Sequence, residues 1–184
     1  VVYFGWNDHW VGYGVEDDEV AEITGSKLRL LPMQSRAAQL LLKTRLASRL
    51  RDKSAWPKRV APDKFRANMA EMVRVARSNG IVPLLLTAPS SHETGKEPPY
   101  IAERFLHDLS QLVPLHQQYV SIVREVAAQE EAPLCDLARR FEALPPADVR
   151  DTYFKADGIH ATPAGSEKIA EFLAECFRED PRLT

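Results

Sequence analysis

The chain has 184 residues, 45% of them apolar and 27% charged, with a formal net charge of -2. That length suits one domain, with enough apolar material for a real core. The near-neutral balance excludes the strong single-sign field of a nucleic-acid or anionic-membrane binder, and no apolar run reaches the length of a membrane span.

Taken in order, Val1-Val2-Tyr3-Phe4 is a β-branched and aromatic run that stops at Gly5 and reads as a buried strand. No initiator methionine, signal peptide or polar lead-in precedes it, so the sequence predicts a fragment whose N-terminal strands and any targeting segment lie upstream. Compartment and subunit number are not legible from these residues. Residues 6–34 predict an irregular flap with an acidic patch at Glu16-Asp17-Asp18-Glu19. A leucine stripe after Ser35 predicts a helix over 35–51, broken by Trp56-Pro57, and the locally basic stretch 45–59 reads as a wet helix face.

The clearest helix spans 62–78: Pro62 suits its first position, Phe65, Met69, Met72, Val73 and Ala76 recur at helical spacing, and Asn79-Gly80 closes it. A strand is predicted over 81–87, a polar loop over 88–99, and a helix over 114–130 with Leu115, Tyr119, Ile122, Val123 and Val126 inward. Leu134-Cys135-Asp136-Leu137 is a short strand candidate, and Thr162 caps a last helix from Pro163 to about Phe177. Cys135 and Cys176, both among apolar neighbours, read as two buried thiols. Strand and helix alternate as in a parallel sheet covered on both faces, where sites form at the carboxyl ends of strands.

Two segments fall at such ends. In Gly5-Trp6-Asn7-Asp8-His9-Trp10, glycine permits a tight turn, and Asn7 offers an amide N–H of the kind that stabilises an oxyanion. The same residue types also suit an ordinary Asx turn. In Asp157-Gly158-Ile159-His160, the carboxylate can take the Nδ1 proton of the imidazole and leave Nε2 as a general base. A solvated loop before a capped helix reads equally well from this segment alone.

Together, Gly-x-Asn-Asp after a strand and Asp-x-x-His before the last helix resemble two sequence blocks of the SGNH (GDSL-type) serine hydrolases. Asp157-Gly158-Ile159-His160-Ala161-Thr162-Pro163-Ala164-Gly165 is similar to that family's C-terminal block, and the resemblance extends through residues 59–89. It implies a flavodoxin-like α/β/α sandwich and a single SGNH hydrolase-like domain. It further implies Gly5 and Asn7 as the oxyanion block, His160 as the base, and Asp157 as its orienting carboxylate. The implied activity is hydrolysis of a small-molecule, lipid or carbohydrate ester, or acyl transfer, with no metal or cofactor. The family's Gly-Asp-Ser nucleophile block has no counterpart here, so the expected serine lies upstream of Val1.

Several weaker signals accompany these. Ser90 and Ser91 follow a strand, lining a cleft or turning the chain. Asp8, His9, Asp157 and His160 have ligand chemistry for a metal but no recognised spacing. His92, His107 and His116 read as ordinary surface or helix residues. Trp6, Trp10 and Tyr13 suit either a sugar- or acyl-binding platform or packing of the flap onto the core. A non-catalytic carbohydrate- or lipid-binding domain on the same fold is the alternative function.

Overall fold

The computed structural model describes residues 1–3, 5–12, 16–18, 35–37, 40, 56–101, 106 and 108–183. Most of the expected helix over 35–51 and most of the expected flap lie outside these residues, as do Tyr13 and His107.

Three short strands, β1 (Val2–Tyr3), β2 (Leu85–Leu86) and β3 (Leu134–Cys135), form a parallel sheet in the order β1-β2-β3. Val2 and Tyr3 pair with Leu85 and Leu86, which pair in turn with Leu134 and Cys135. Parallel neighbours need long crossovers. Helix α1 (Pro62–Ser78) lies between β1 and β2, and α2 (Leu112–Gln129) between β2 and β3. Crossovers of one hand that move in one direction across a sheet put their helices on the same face.

Side-chain alternation along β2 divides the core into layers. Leu85 packs with Phe65, Met69 and Val73 of α1 and with Tyr119, Val123 and Val126 of α2. Leu84 and Leu86 face the other way, into a cluster with Cys135, Leu137 and the last helix, α4 (Pro163–Glu179), through Ile169, Phe172 and Cys176. The architecture is therefore an α/β/α sandwich. Each fully buried leucine or phenylalanine contributes about 1.5–3 kcal/mol, so the α1–α2 face is the main store of stability. The Phe65 and Tyr119 rings meet at 4.9 Å, and the Tyr119 hydroxyl donates to the Val60 carbonyl, which ties the approach to α1 onto α2.

The helix over 62–78 forms as its pattern predicts, with Pro62 at its start and the Asn79 and Gly80 amides closing on Ala76 and Arg77 carbonyls. Other expectations need correction. Val1 and Tyr3 are exposed (74% and 45%), not buried, because β1 is an edge strand among those described. Only Leu85–Leu86 of the expected strand over 81–87 joins the ladder; Ile81 and Val82 are exposed before it. The strand at 134–137 stops at Cys135 because Asp136 becomes a helix cap. Its carboxylate accepts from the Arg139 N–H and opens α3 (Leu137–Glu142), which the sequence did not announce. Asp136 also takes a bidentate pair from Arg124 and the Thr87 hydroxyl, and that hydroxyl accepts from the Ala138 N–H. Burial alone would raise the Asp136 pKa; the bonds from Arg124, Thr87 and Arg139 outweigh it and hold the carboxyl below its ordinary value.

Cys135 and Cys176 are not separate thiols. They form a disulfide with Cα atoms 5.6 Å apart, joining the end of β3 to α4. The sequence could not pair them, because their proximity exists only once α4 lies on the sheet. The bridge closes a loop with a sequence separation of 41 residues, and that loop carries Asp157 and His160. Non-reducing proteolysis followed by mass spectrometry is expected to yield one cross-linked peptide pair. Reduction should lower unfolding free energy by up to about 4 kcal/mol in urea titrations, the chain-entropy value for such a loop. Two alkylatable thiols in the native, oxidised chain would refute the pairing.

Candidate functional site

The end of β1, the loop after β2 and the segment before α4 meet at the carboxyl edge of the sheet. Asn7, Asp157 and His160 line one cleft there, of about 570 Å³. Its other walls include Trp6, Trp10, Tyr100, Ile101 and Phe154. Asn7 and His160 thus share a hollow although 153 positions separate them (160 − 7).

Local bonding explains how each residue is held. Gly5 has φ of +131°, a conformation that side-chain-bearing residues rarely adopt. Its N–H donates to Asp8 Oδ2 at 3.0 Å, and its carbonyl accepts from His9 Nδ1 at 2.6 Å. This knotted turn leaves Asn7 exposed at its crest, with no hydrogen-bond partner among the described residues. Burial raises the Asp8 pKa, against the opposing Gly5 N–H bond.

The second segment is a loop closed on itself. Phe154 bridges to Ala161, the Lys155 N–H donates to the His160 carbonyl at 2.8 Å, and the Thr162 N–H donates to the Tyr153 carbonyl at 3.0 Å. Thr162 caps α4 as expected, accepting from the Gly165 N–H at 3.0 Å, while its hydroxyl donates to the Thr152 carbonyl at 2.6 Å. Inside the loop, Asp157 Oδ1 accepts from the Ile159 and His160 N–H groups, each at 2.8 Å. That leaves Oδ2 for His160 Nδ1, 3.0 Å away. Burial would raise the Asp157 pKa, but the two backbone bonds and the His160 contact lower it below the ordinary value. The carboxylate only accepts, so in the neutral imidazole the proton sits on Nδ1 and Nε2 bears the lone pair. The His160 side chain is 71% exposed and Asp157 29%: the imidazole is open and its partner recessed.

Beneath the cleft lies a group of rings in which the sequence pointed to Trp6 and Trp10 but not to the histidines that join them. Trp6 stacks on His116 at 3.9 Å and 10°, and His9 meets Trp10 at 4.4 Å. Trp6 and Trp10 are 9% and 6% exposed, so they serve as packing more than as an open platform. His9 is buried, and His116 is a helix residue, on α2, but a buried one rather than a surface one. His116 donates from Nε2 to the Ala88 carbonyl at 2.8 Å. Burial, first, pushes the His9 pKa down to about 3 and the His116 pKa down to about 4. His92 is part-buried and donates to the Asp157 carbonyl. Of the residues with ligand chemistry, His9 bonds the Gly5 carbonyl and Asp8 the Gly5 N–H of the same turn, while Asp157 bonds His160. Among the described residues, no group of three or more His, Cys, Asp or Glu side chains is placed to hold a metal ion. No serine among the described residues lines the cleft; Ser90 and Ser91 border a neighbouring hollow with His92 and Phe141. The cleft residues Tyr100, Ile101 and Phe154 had no sequence signal beyond being apolar near loops. No helix among the described residues is long and apolar enough to cross a membrane.

No family model matches the chain. No curated protein sequence matches it either. Two crystal structures are similar to part of it. One, a lipase/acylhydrolase from Enterococcus faecalis, is 19% identical over 65% of this chain and 53% of that one, with a TM-score of 0.47. The other, an alpha/beta hydrolase enzyme from the metagenome of Lake Arreo, Spain, is 21% identical over 64% of this chain and 47% of that one, with a TM-score of 0.42. The chain thus spans about half the length of each.

The buried histidines set an acid limit. Their folded pKa values lie below the ordinary 6.5, so they are neutral in the folded chain and take up protons on unfolding. The stability they confer is complete above about pH 6.5 and is lost as pH falls toward 4 for His116 and 3 for His9. Each is expected to cost about 1.4 kcal/mol per pH unit in that window. Urea titrations between pH 7 and pH 4.5 measure the slope, which His116→Phe should roughly halve. A flat profile would mean that these rings are not buried neutral.

Proposed function

We propose that the cleft is the acyl-transfer site of an SGNH-type serine ester hydrolase. His160 is its general base and acid, Asp157 its orienting carboxylate, and Asn7 with Gly5 its oxyanion block. The observation that carries this reading is the 3.0 Å contact between His160 Nδ1 and Asp157 Oδ2 in the wall of a cleft that Asn7 shares. The nucleophile is a serine upstream of Val1, because the sequence has no Gly-Asp-Ser block and no described serine lines the cleft.

The chemistry follows from these positions. As the serine oxygen attacks the ester carbonyl, His160 Nε2 takes its proton, and Asp157 stabilises the imidazolium. The carbonyl oxygen, now negative, accepts from the Asn7 amide. When the tetrahedral intermediate collapses, the C–O bond to the alcohol breaks and His160 returns the proton to the departing oxygen. Water then repeats the sequence on the acyl-serine and releases the acid; an alcohol in its place gives acyl transfer. The walls of Trp6, Trp10, Tyr100, Ile101 and Phe154 suit an uncharged, apolar acyl or aryl group more than a highly charged one.

A second reading, a non-catalytic carbohydrate- or lipid-binding domain, draws on the same apolar walls and the lack of a described serine in them. Chemistry separates the two. In the protein carrying the upstream segment, a fluorophosphonate is expected to label a serine of that segment. There His160→Ala should lower kcat/KM on a short-chain aryl ester by about three to four orders of magnitude, and Asp157→Asn by a similar factor. The 184 residues alone should turn over little. Full activity of the isolated chain would show the nucleophile misplaced. Neither labelling nor turnover with the upstream segment present would favour the binding domain.

A further inference from the structure

The loop that leaves β2 makes two adjacent contacts with the loop that carries Asp157 and His160. The Ser91 N–H donates to the Gly158 carbonyl at 3.1 Å, and His92 Nε2 donates to the Asp157 carbonyl at 2.8 Å. A carbonyl only accepts, so Nε2 carries the proton and Nδ1 bears a lone pair. That Nδ1 is buried without a hydrogen-bond partner. The ring lies flush on Gly158: a Cβ built there would come within 2.5 Å of His92 Cδ2 and Nε2. Gly158 also has φ of +72°, so backbone and packing both require glycine. On its other side, the His92 ring meets Trp6 edge-on at 5.5 Å and 76°, one residue before Asn7.

We propose that His92 is a positioning residue for the Asp157–His160 pair, wedged between the segment that presents Asn7 and the loop that presents the base. It fixes the main chain of Asp157 from outside. The carboxylate is fixed from inside by the Ile159 and His160 amides, and only the combination aims Oδ2 at His160 Nδ1. His92 is not among the residues that line the cleft, so it acts through Asp157 and not on a substrate. Solvent competes poorly for a part-buried bond, and a shift of about 1 Å in a reacting group costs about a hundredfold in rate. This inference rests on the reading of the site above, deepens it, and has a test that does not need turnover.

The test uses the 184-residue chain with 15N-labelled histidine, where NMR reports which ring nitrogen of each imidazole carries the proton, and His160→Asn assigns the His160 signals. Wild type is expected to hold the His160 proton on Nδ1. His92→Gln, whose amide nitrogen reaches the place of Nε2, should keep that state. His92→Leu should let the proton distribute over both nitrogens. Should the Leu variant not fold, His92→Asn decides, because its amide nitrogen falls short of the Asp157 carbonyl and the Nδ1 state should be lost. A folded Leu or Asn variant with the wild-type His160 signature, or a Gln variant without it, would overturn the positioning role. A wild-type chain lacking the signature would overturn the Asp157–His160 pair itself, and the positioning role with it. In the protein with its upstream segment, His92→Leu should lower kcat by about 10- to 100-fold with KM little changed, and Gln should restore most of it. Wild-type protein that keeps the signature but hydrolyses no ester would sink the enzymatic reading while leaving the positioning role standing.

Discussion

The site depends on a loop whose own backbone holds a carboxylate. Asp157 spends one oxygen on two amides of its own turn and has the other left for His160. An exposed histidine paired with an exposed carboxylate would exchange with water and be worth little. Here the carboxylate is recessed and pre-aimed, so the open imidazole has a fixed partner. The Phe154–Ala161 bridge, the Thr162 cap and the start of α4 hold the loop at its base.

The sandwich supplies what that loop leans on. Parallel strands send every crossover back across the sheet, so the segments leaving β1 and β2 emerge at the same edge, beside the loop that precedes α4. The cleft is apolar above and ringed below by Trp6, Trp10, His9 and His116. Burying neutral imidazoles under the site gives the Gly5 and Ala88 carbonyls their donors without a formal charge at neutral pH. The cost is acid sensitivity, since each ring must lose a buried hydrogen-bonded place before it can charge.

The disulfide extends the same logic to longer range. By joining β3 to α4, it limits how far the 136–175 segment can drift from the sheet. The Asp136 network secures the start of that segment, through Arg124 of α2 and Thr87 after β2.

The local sequence determined much by itself. Pro62, the apolar spacing after it and Asn79-Gly80 dictate α1, because helix periodicity and termini are short-range properties. Thr162-Pro163 dictates where α4 begins, and three-residue spacing lets Asp157 reach His160. The gathering of Asn7 with that pair was legible through the rule that parallel sheets build sites at one edge, and through the resemblance of the two segments to blocks of one family. The tertiary structure alone decided the rest. Whether Cys135 meets Cys176, whether His116 is wet or buried, and which carbonyl His92 finds all depend on chain segments tens of residues apart. Periodicity says which face of an element is apolar. It does not say what the fold will press against that face, and those three outcomes turn on that partner.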